Sequence, residues 1–327
     1  MVKYVIKRVL LMLLTFFVII SGCFILIRLL PNIPAQQFGK DMSLVLQRRV
    51  RQGLVDANGN AIPLIQQYWN FITRTLFTGE WGVSESLYIG QDCMQVFLSK
   101  LPATILLNVY AMVFAVPLGL LLGIYAALKK NKWQDHVIST GVMIFVSVPS
   151  YVYAFLVQYF LCFKLKLFPL VMNSGTNYFS ASMFHSMLPA VISLAFGSIA
   201  GFARFTRAEL TEVLTSEYLL LARTKGLTKA QTTRRHALRN TMVVILPMII
   251  AEFIGIIGGS LIIENIFVVP GVGPLYVNSI TARDYNFFML LSAFYTIIGL
   301  ASGILLDLSY GFIDPRIRIG SKANGKY

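Results

Sequence analysis

Long runs without a single charge constrain this chain more than any other feature. Val9–Ile27, Leu101–Leu128, Val137–Phe163 and Tyr285–Leu306 contain no Asp, Glu, Lys or Arg. A helix needs about 20 predominantly apolar residues to cross a hydrocarbon core, where its backbone must satisfy its own hydrogen bonds. Two further candidates are Met183–Ala203 and Thr241–Ile263, the latter interrupted by Glu252. Six transmembrane helices are therefore expected, in an all-α membrane protein. Composition agrees: charged residues make up 13%, about half the share usual in soluble domains. The first apolar run is too long for a cleavable leader, and Leu29-Leu30-Pro31 is not a small-residue cleavage site.

The net charge of +14 would suit nucleic acid, but its distribution points elsewhere. With a cytoplasmic N-terminus and six crossings, 18 of the 28 Lys and Arg fall on the inner side. They include Lys3, Lys7, Arg8, Lys129, Lys130, Lys132 and the group from Arg204 to Arg239. The short outer loops hold only Lys164, Lys166 and Arg283. Such an asymmetry sets membrane orientation. Nucleic acid is not an expected partner; membrane lipid is.

Pro31 to Lys100 forms a polar external segment, with short helices expected over Asp41–Gln52 and Pro63–Phe77 and a turn at Asp56–Asn60. It is expected over the outer mouth of the bundle, too polar to be embedded. The division expected is a first helix in 1–30, this segment in 31–100, a five-helix core in 101–313 and a tail in 314–327. Pro117, Pro149, Pro189 and Pro247 lie in or beside the spans and predict kinks. Gly119–Gly123 and Gly255–Gly259 are GxxxG pairs that predict close helix packing. Cys23, Cys93 and Cys162 are isolated, and the three His form no metal-binding spacing, so no disulfide framework or metal site is expected.

One loop breaks the apolar pattern. Glu217–Asn240 carries six Lys or Arg against one Glu. Placing six such charges at mid-bilayer would cost on the order of 15–20 kcal/mol, so the loop lies outside the membrane. Ser216 is positioned to cap a helix through Tyr218–Thr224, with Leu219, Ala222 and Leu220 as its apolar face. Gly226 provides a stop. Thr228-Lys229-Ala230-Gln231 fits a capping box that opens a second helix towards Asn240. The residues alone leave open whether this loop binds a partner or simply anionic lipid.

Ala222-Arg223-Thr224-Lys225-Gly226-Leu227 and Arg235-His236-Ala237-Leu238-Arg239-Asn240 resemble the cytoplasmic signature loop of ABC-importer permeases, in the form found in oligopeptide and dipeptide permeases. The broader class favours Pro where this chain has Arg239. Further stretches are similar to the same family in the same order: Gly79-Glu80-Trp81-Gly82-Val83-Ser84, Leu101-Pro102-Ala103-Thr104, Ser147-Val148-Pro149-Ser150, Thr206-Arg207-Ala208, Val269-Pro270-Gly271-Val272-Gly273, Ala282-Arg283-Asp284-Tyr285 and Asp314-Pro315-Arg316. The resemblance implies the type I importer permease fold in a bacterial inner or plasma membrane, with both termini cytoplasmic. It also implies a second homologous permease, two ATPase subunits that bind ATP and Mg, and an extracytoplasmic binding protein delivering peptide. This chain would then be a transport subunit, not an enzyme, with no cofactor of its own; it shows no GxxxxGK[ST] phosphate loop. Residues 207–240 would be the coupling loop. Glu217, Ala222, Arg223, Lys225, Gly226, Leu227, Thr228, Lys229, Arg235 and His236 would meet an ATPase, and Arg234 would frame them.

For the pathway the sequence is less explicit. Glu252, central in the fifth apolar run, faces a polar cavity, contacts a peptide's amino group or pairs with a partner subunit. Glu264 and Asp284 flank an external loop whose Pro270, Gly271 and Gly273 suggest a re-entrant gate. Nickel-chelator importers share these motifs and are the alternative cargo class. A proton-coupled secondary transporter would show inverted repeats and several intramembrane ionisable groups, and an intramembrane protease would need a nucleophile or metal motif; the sequence displays neither.

Overall fold

A computed structural model of the chain describes residues 2–29, 46–47, 49–50, 53–173, 175 and 177–313. Most of the helix expected over Asp41–Gln52, and the whole of the tail 314–327, lie outside the described residues. The regular structure of the described residues is helical apart from isolated bridges Val55–Ala61 and Val83–Asp92. Two compact units emerge, one of residues 1–101 with 275–300, the other of 102–274 with 301–327.

In the first unit, α1 (Val2–Leu29) is an uninterrupted apolar helix and α2 (Leu64–Thr78) is amphipathic. Gly79, at φ 70°, ends α2 in the left-handed conformation that glycine adopts without strain. The expected turn at Asp56 is built by its carboxylate, which accepts from the backbone N–H of Asn58 and Asn60. Those bonds, Asn60 foremost, hold the Asp56 carboxyl below the usual carboxylate range. α3 (Cys93–Leu128) starts eight residues before the expected entry and runs on through Pro102 and Pro117 into the second unit.

The second unit contains α4 (Trp133–Ser147), α5 (Ser150–Val157) with its π-helical extension Gln158–Lys164, and α6 (Ala181–Leu214). The third apolar run is not one straight span: it bends by 104° between Ser147 and Ser150. Val148 sits at φ −84°, ψ 129°, the extended region forced on a residue before proline. Pro189 in α6 and Pro247 in α9 (Leu238–Gly255), like Pro117, leave their helices unbroken. Among the described residues five helices are long and apolar enough to cross a membrane, six with the bent pair counted as one span.

α6 is the hub of this unit and packs against α4, α5 and α9. Between spans the hydrophobic effect contributes little, because lipid is as apolar as leucine; close backbone approach matters more. The first GxxxG pair supplies that approach: a Cβ on Gly119 would strike Phe202 and the Ile199 carbonyl, and one on Gly123 the Ala203 carbonyl and Thr206. The second pair does something else. Gly255 meets nothing, while Gly259, at φ 67°, lies beyond the end of α9. α4 is tied to α6 by Asp135, fully buried, which receives Arg207 through both carboxylate oxygens, Nη2 to Oδ2 at 2.8 Å.

α10 (Leu261–Ile266), α11 (Val272–Thr281) and α12 (Tyr285–Ile313) complete the chain. α9 stops at Gly255, so the fifth span expected over Thr241–Ile263 ends early. Glu252 therefore lies in the last turn of its helix rather than at its centre.

Candidate functional site: a capped turn and a polar cavity

The basic loop is ordered by three local devices. α7 (Glu217–Thr224) leaves α6 after a two-residue break, Thr215-Ser216. Ser216 occupies the N-cap position without capping: its hydroxyl donates to the Val213 carbonyl at 2.6 Å. At the other end Gly226 takes φ 89°. Its N–H donates to Arg223 O and that of Leu227 to Ala222 O, at 3.0 and 3.3 Å. Thr228 and Gln231 then form the complete capping box: the Gln231 N–H donates to Thr228 Oγ1, and the Thr228 N–H to Gln231 Oε1.

The second helix is not a separate short piece. α8 (Lys229–Thr232) passes through a π-helical turn, Thr233–Ala237, straight into α9. Residues 229–255 thus form one continuous helical run. Leu219 and Ala237 are buried in a cluster with Ala127, Leu210 and Val213, and Asn240 donates to the Tyr218 hydroxyl at 2.8 Å. The turn is a packed knob.

What the knob presents follows from that packing. Glu217, Arg223, Lys225, Gly226, Thr228, Lys229, Arg235 and His236 are all exposed, and Leu227 is half-buried. Ala222 is buried; it mounts the knob instead of facing outward. Leu220, assigned above to the inner face, is 62% exposed, and Leu221 and Tyr218 join it. This apolar patch was missed because one turn of pattern cannot say which of three consecutive leucines points inward. An added Cβ at Gly226 would meet no atom within 4 Å.

At the far end of α9, Glu252 lines a cavity of about 210 Å³ with Asn108, Ser198, Gly255 and Gly259. Ser198 donates to Glu252 Oε1. Among the described residues no basic side chain borders this cavity. Glu252 is thus the cavity's single carboxylate among its lining groups, open on one side to a cation or an N–H donor.

Glu264 has a different setting. It is fully buried and accepts from the Thr104 hydroxyl at 2.9 Å, the Ser260 N–H at 3.1 Å and the Gly273 N–H at 3.0 Å. Thr104 in turn accepts from the Val272 N–H at 2.8 Å. A Cβ on Gly259 or Gly271 would collide with Glu264 and Thr104, and one on Gly273 would come within 3.1 Å of the carboxylate. Pro270 lies between α10 and α11 in the turn this clamp holds. In the first unit Asp284, also fully buried, accepts from the Ser84 hydroxyl at 2.6 Å and from the N–H groups of Ser86 and Leu87. Asn286 donates to the Val83 carbonyl beside Gly82. Both acids are internal fasteners of backbone turns, and Glu264 is not among the residues lining the cavity of Glu252. Among the described residues no group of three His, Cys, Asp or Glu is placed to hold a metal.

The stretches singled out in the sequence thus meet in pairs across the chain: Leu101–Thr104 with Val269–Gly273, and Gly79–Ser84 with Ala282–Tyr285. Residues 119–319 match the family described as binding-protein-dependent transport system inner membrane component. The chain belongs to this family. The permease is 34% identical over 98% of its length to the dipeptide transport system permease protein DppB of Lactococcus lactis, covering all of that protein. It is 32% identical over 97% of its length to the oligopeptide transport system permease protein OppB of Haemophilus influenzae, again covering all of it. The fold resembles the crystal structure of an amino acid ABC transporter with histidines, with a TM-score of 0.51 at 23% identity over 66% of this chain and 94% of that one. The permease is thus a multi-pass, all-α membrane subunit with the type I importer fold.

Proposed function

We propose that this permease conducts dipeptides or oligopeptides inward, driven by ATP hydrolysed on separate subunits. The observation that carries the reading is the knob itself. It is a doubly capped turn, basic and apolar on its outer face, fastened to its own bundle and continuous with a spanning helix. Such a turn is suited to take up displacement from a docked protein and pass it to the membrane region. The cytoplasmic face is its place by charge: six Lys and Arg lie between Glu217 and Asn240, and basic loops stay inside. Both termini are then cytoplasmic.

Arg223, Lys225, Gly226, Leu227, Thr228, Lys229, Arg235 and His236 form the docking surface together with Tyr218, Leu220 and Leu221. Two ATPases holding ATP and Mg, a second permease of the same family and an extracytoplasmic binding protein complete the transporter. Peptide as cargo rests on the relatives named above. Glu252, lacking a basic partner in its cavity, receives the amino group of a passing peptide, and the Pro270–Gly273 turn acts as the gate.

Proteoliposomes carrying the assembled transporter should take up a radiolabelled dipeptide only with ATP, the ATPases and the binding protein, and vanadate should stop them. Uptake by this chain without ATPases would refute the reading. Within the same assay Glu252→Gln should raise KM for peptide with a free amino terminus and leave KM for an N-acetylated peptide unchanged.

A further inference from the structure

The helix α2 carries an apolar stripe that is exposed among the described residues. At about 100° per residue, Ile65, Trp69 and Leu76 fall on one line, and they are 76%, 65% and 55% exposed. Phe77 beside them is exposed as well. The adjoining flank, about a quarter turn round, is committed to α1: Phe71 is buried, the rings of Tyr68 and Phe71 pack on Phe24 at 5.4 Å each, and Ile72, at the edge of the stripe, packs against the same cluster. The Tyr68 and Ser21 hydroxyls share a hydrogen bond of 2.6 Å.

These contacts fix the depth of α2. Ser21 lies about 12 Å of helix rise below Leu29, the end of α1. Ile20, one residue deeper, belongs to the same buried cluster, as do Met289 and Ala293 in the first turns of α12. Half the hydrocarbon thickness of a bilayer is about 15 Å. A helix whose inner face reaches residues 20–24 of a membrane-spanning helix therefore lies within a leaflet. On α1 itself Ile25, Leu26 and Leu29 are likewise exposed, as expected for a surface that meets lipid. Trp at such a boundary satisfies its ring and its N–H together.

We propose that α2 is an interfacial helix, its Ile65–Trp69–Leu76 stripe immersed in phospholipid acyl chains of the leaflet at the C-terminal end of α1. This replaces, for α2, the expectation of a segment held clear of the membrane. The polar turn at Asp56–Asn60 stays in water. The inference does not depend on what solute is carried.

Site-directed nitroxides test it on the whole transporter in phosphatidylcholine–phosphatidylglycerol bilayers. Labels are placed at Ile65→Cys, Trp69→Cys and Leu76→Cys, with Asn58→Cys as the aqueous control, in a complex stripped of its native cysteines. Collision with oxygen should dominate at the three stripe positions and collision with a neutral nickel chelate at position 58, giving depth parameters of opposite sign. Chelate-dominated collision at the stripe would place it in water and overturn the proposal. Protection from both reagents would show a protein partner there and overturn it equally.

Discussion

Replacing Gly226 with Leu tests the coupling role against a matched control. Gly226 sits at φ 89° and Gly79 at φ 70°, and an added Cβ meets nothing within 4 Å at either. The strain of a left-handed L-residue is therefore the same for both, roughly 1–2 kcal/mol, with no clash inside the chain. Gly226→Leu and Gly79→Leu should insert normally, accumulate to similar levels and lose similar amounts of thermal stability. They part where a second protein approaches. A Leu forced into a docked surface adds an overpacking penalty of about 1–3 kcal/mol. At 1.4 kcal/mol per factor of ten, docking weakens by about 5- to 150-fold. ATP-driven peptide uptake in proteoliposomes should fall to match for Gly226→Leu, with ATPase co-purification reduced, while Gly79→Leu stays within about twofold of wild type. Equal loss in both variants would make backbone strain the explanation. Normal uptake by Gly226→Leu would remove the docking surface from this turn altogether.

Other consequences are quicker to check. Asp135→Asn removes the carboxylate that holds Arg207, itself 33% exposed, and should lower unfolding stability by about 1–2 kcal/mol, read as a reduced thermal midpoint in detergent; Arg207→Met in the same background should restore part of it. Thr104→Val removes the donor to Glu264 and the acceptor for the Val272 N–H, and about 2 kcal/mol of stability should go with them. Protease accessibility near Pro270 should rise, whereas the knob should keep its cleavage pattern. Gly123→Leu pushes α3 off α6 at the Ala203 carbonyl; its folded yield should drop well below that of Gly141→Leu, where nothing lies within 4 Å.

Apolar length made the spans legible, because hydrocarbon thickness sets a requirement that residues meet or fail locally. The capping box at Thr228 and the stop at Gly226 were legible for the same reason: each closes within four residues. The break at Pro149 was legible as a kink but not as a 104° bend. A proline dictates only the conformation of its neighbour, and at Pro117 and Pro189 the helix continues through it. Glu252, Glu264 and Asp284 looked alike as carboxylates among apolar residues. What separates them is which distant groups arrive: Ser198 for the first, Thr104 for the second, Ser84 for the third. Partners at that sequence distance leave no periodic trace. The outward turn of Leu220 had the same cause, since its orientation depends on Ala127 and Leu210 claiming Leu219.

The helical run continuous from Lys229 to Gly255 would, under the proposed coupling, serve as a lever arm. Glu252 lies about 35 Å along it from Lys229. A tilt of about 6° about the knob end swings the far tip by roughly 3–4 Å, the length of a hydrogen bond. In the coupling proposed above, a small displacement of the basic elbow would be enough to part Glu252 from Ser198 and free the second oxygen of that carboxylate.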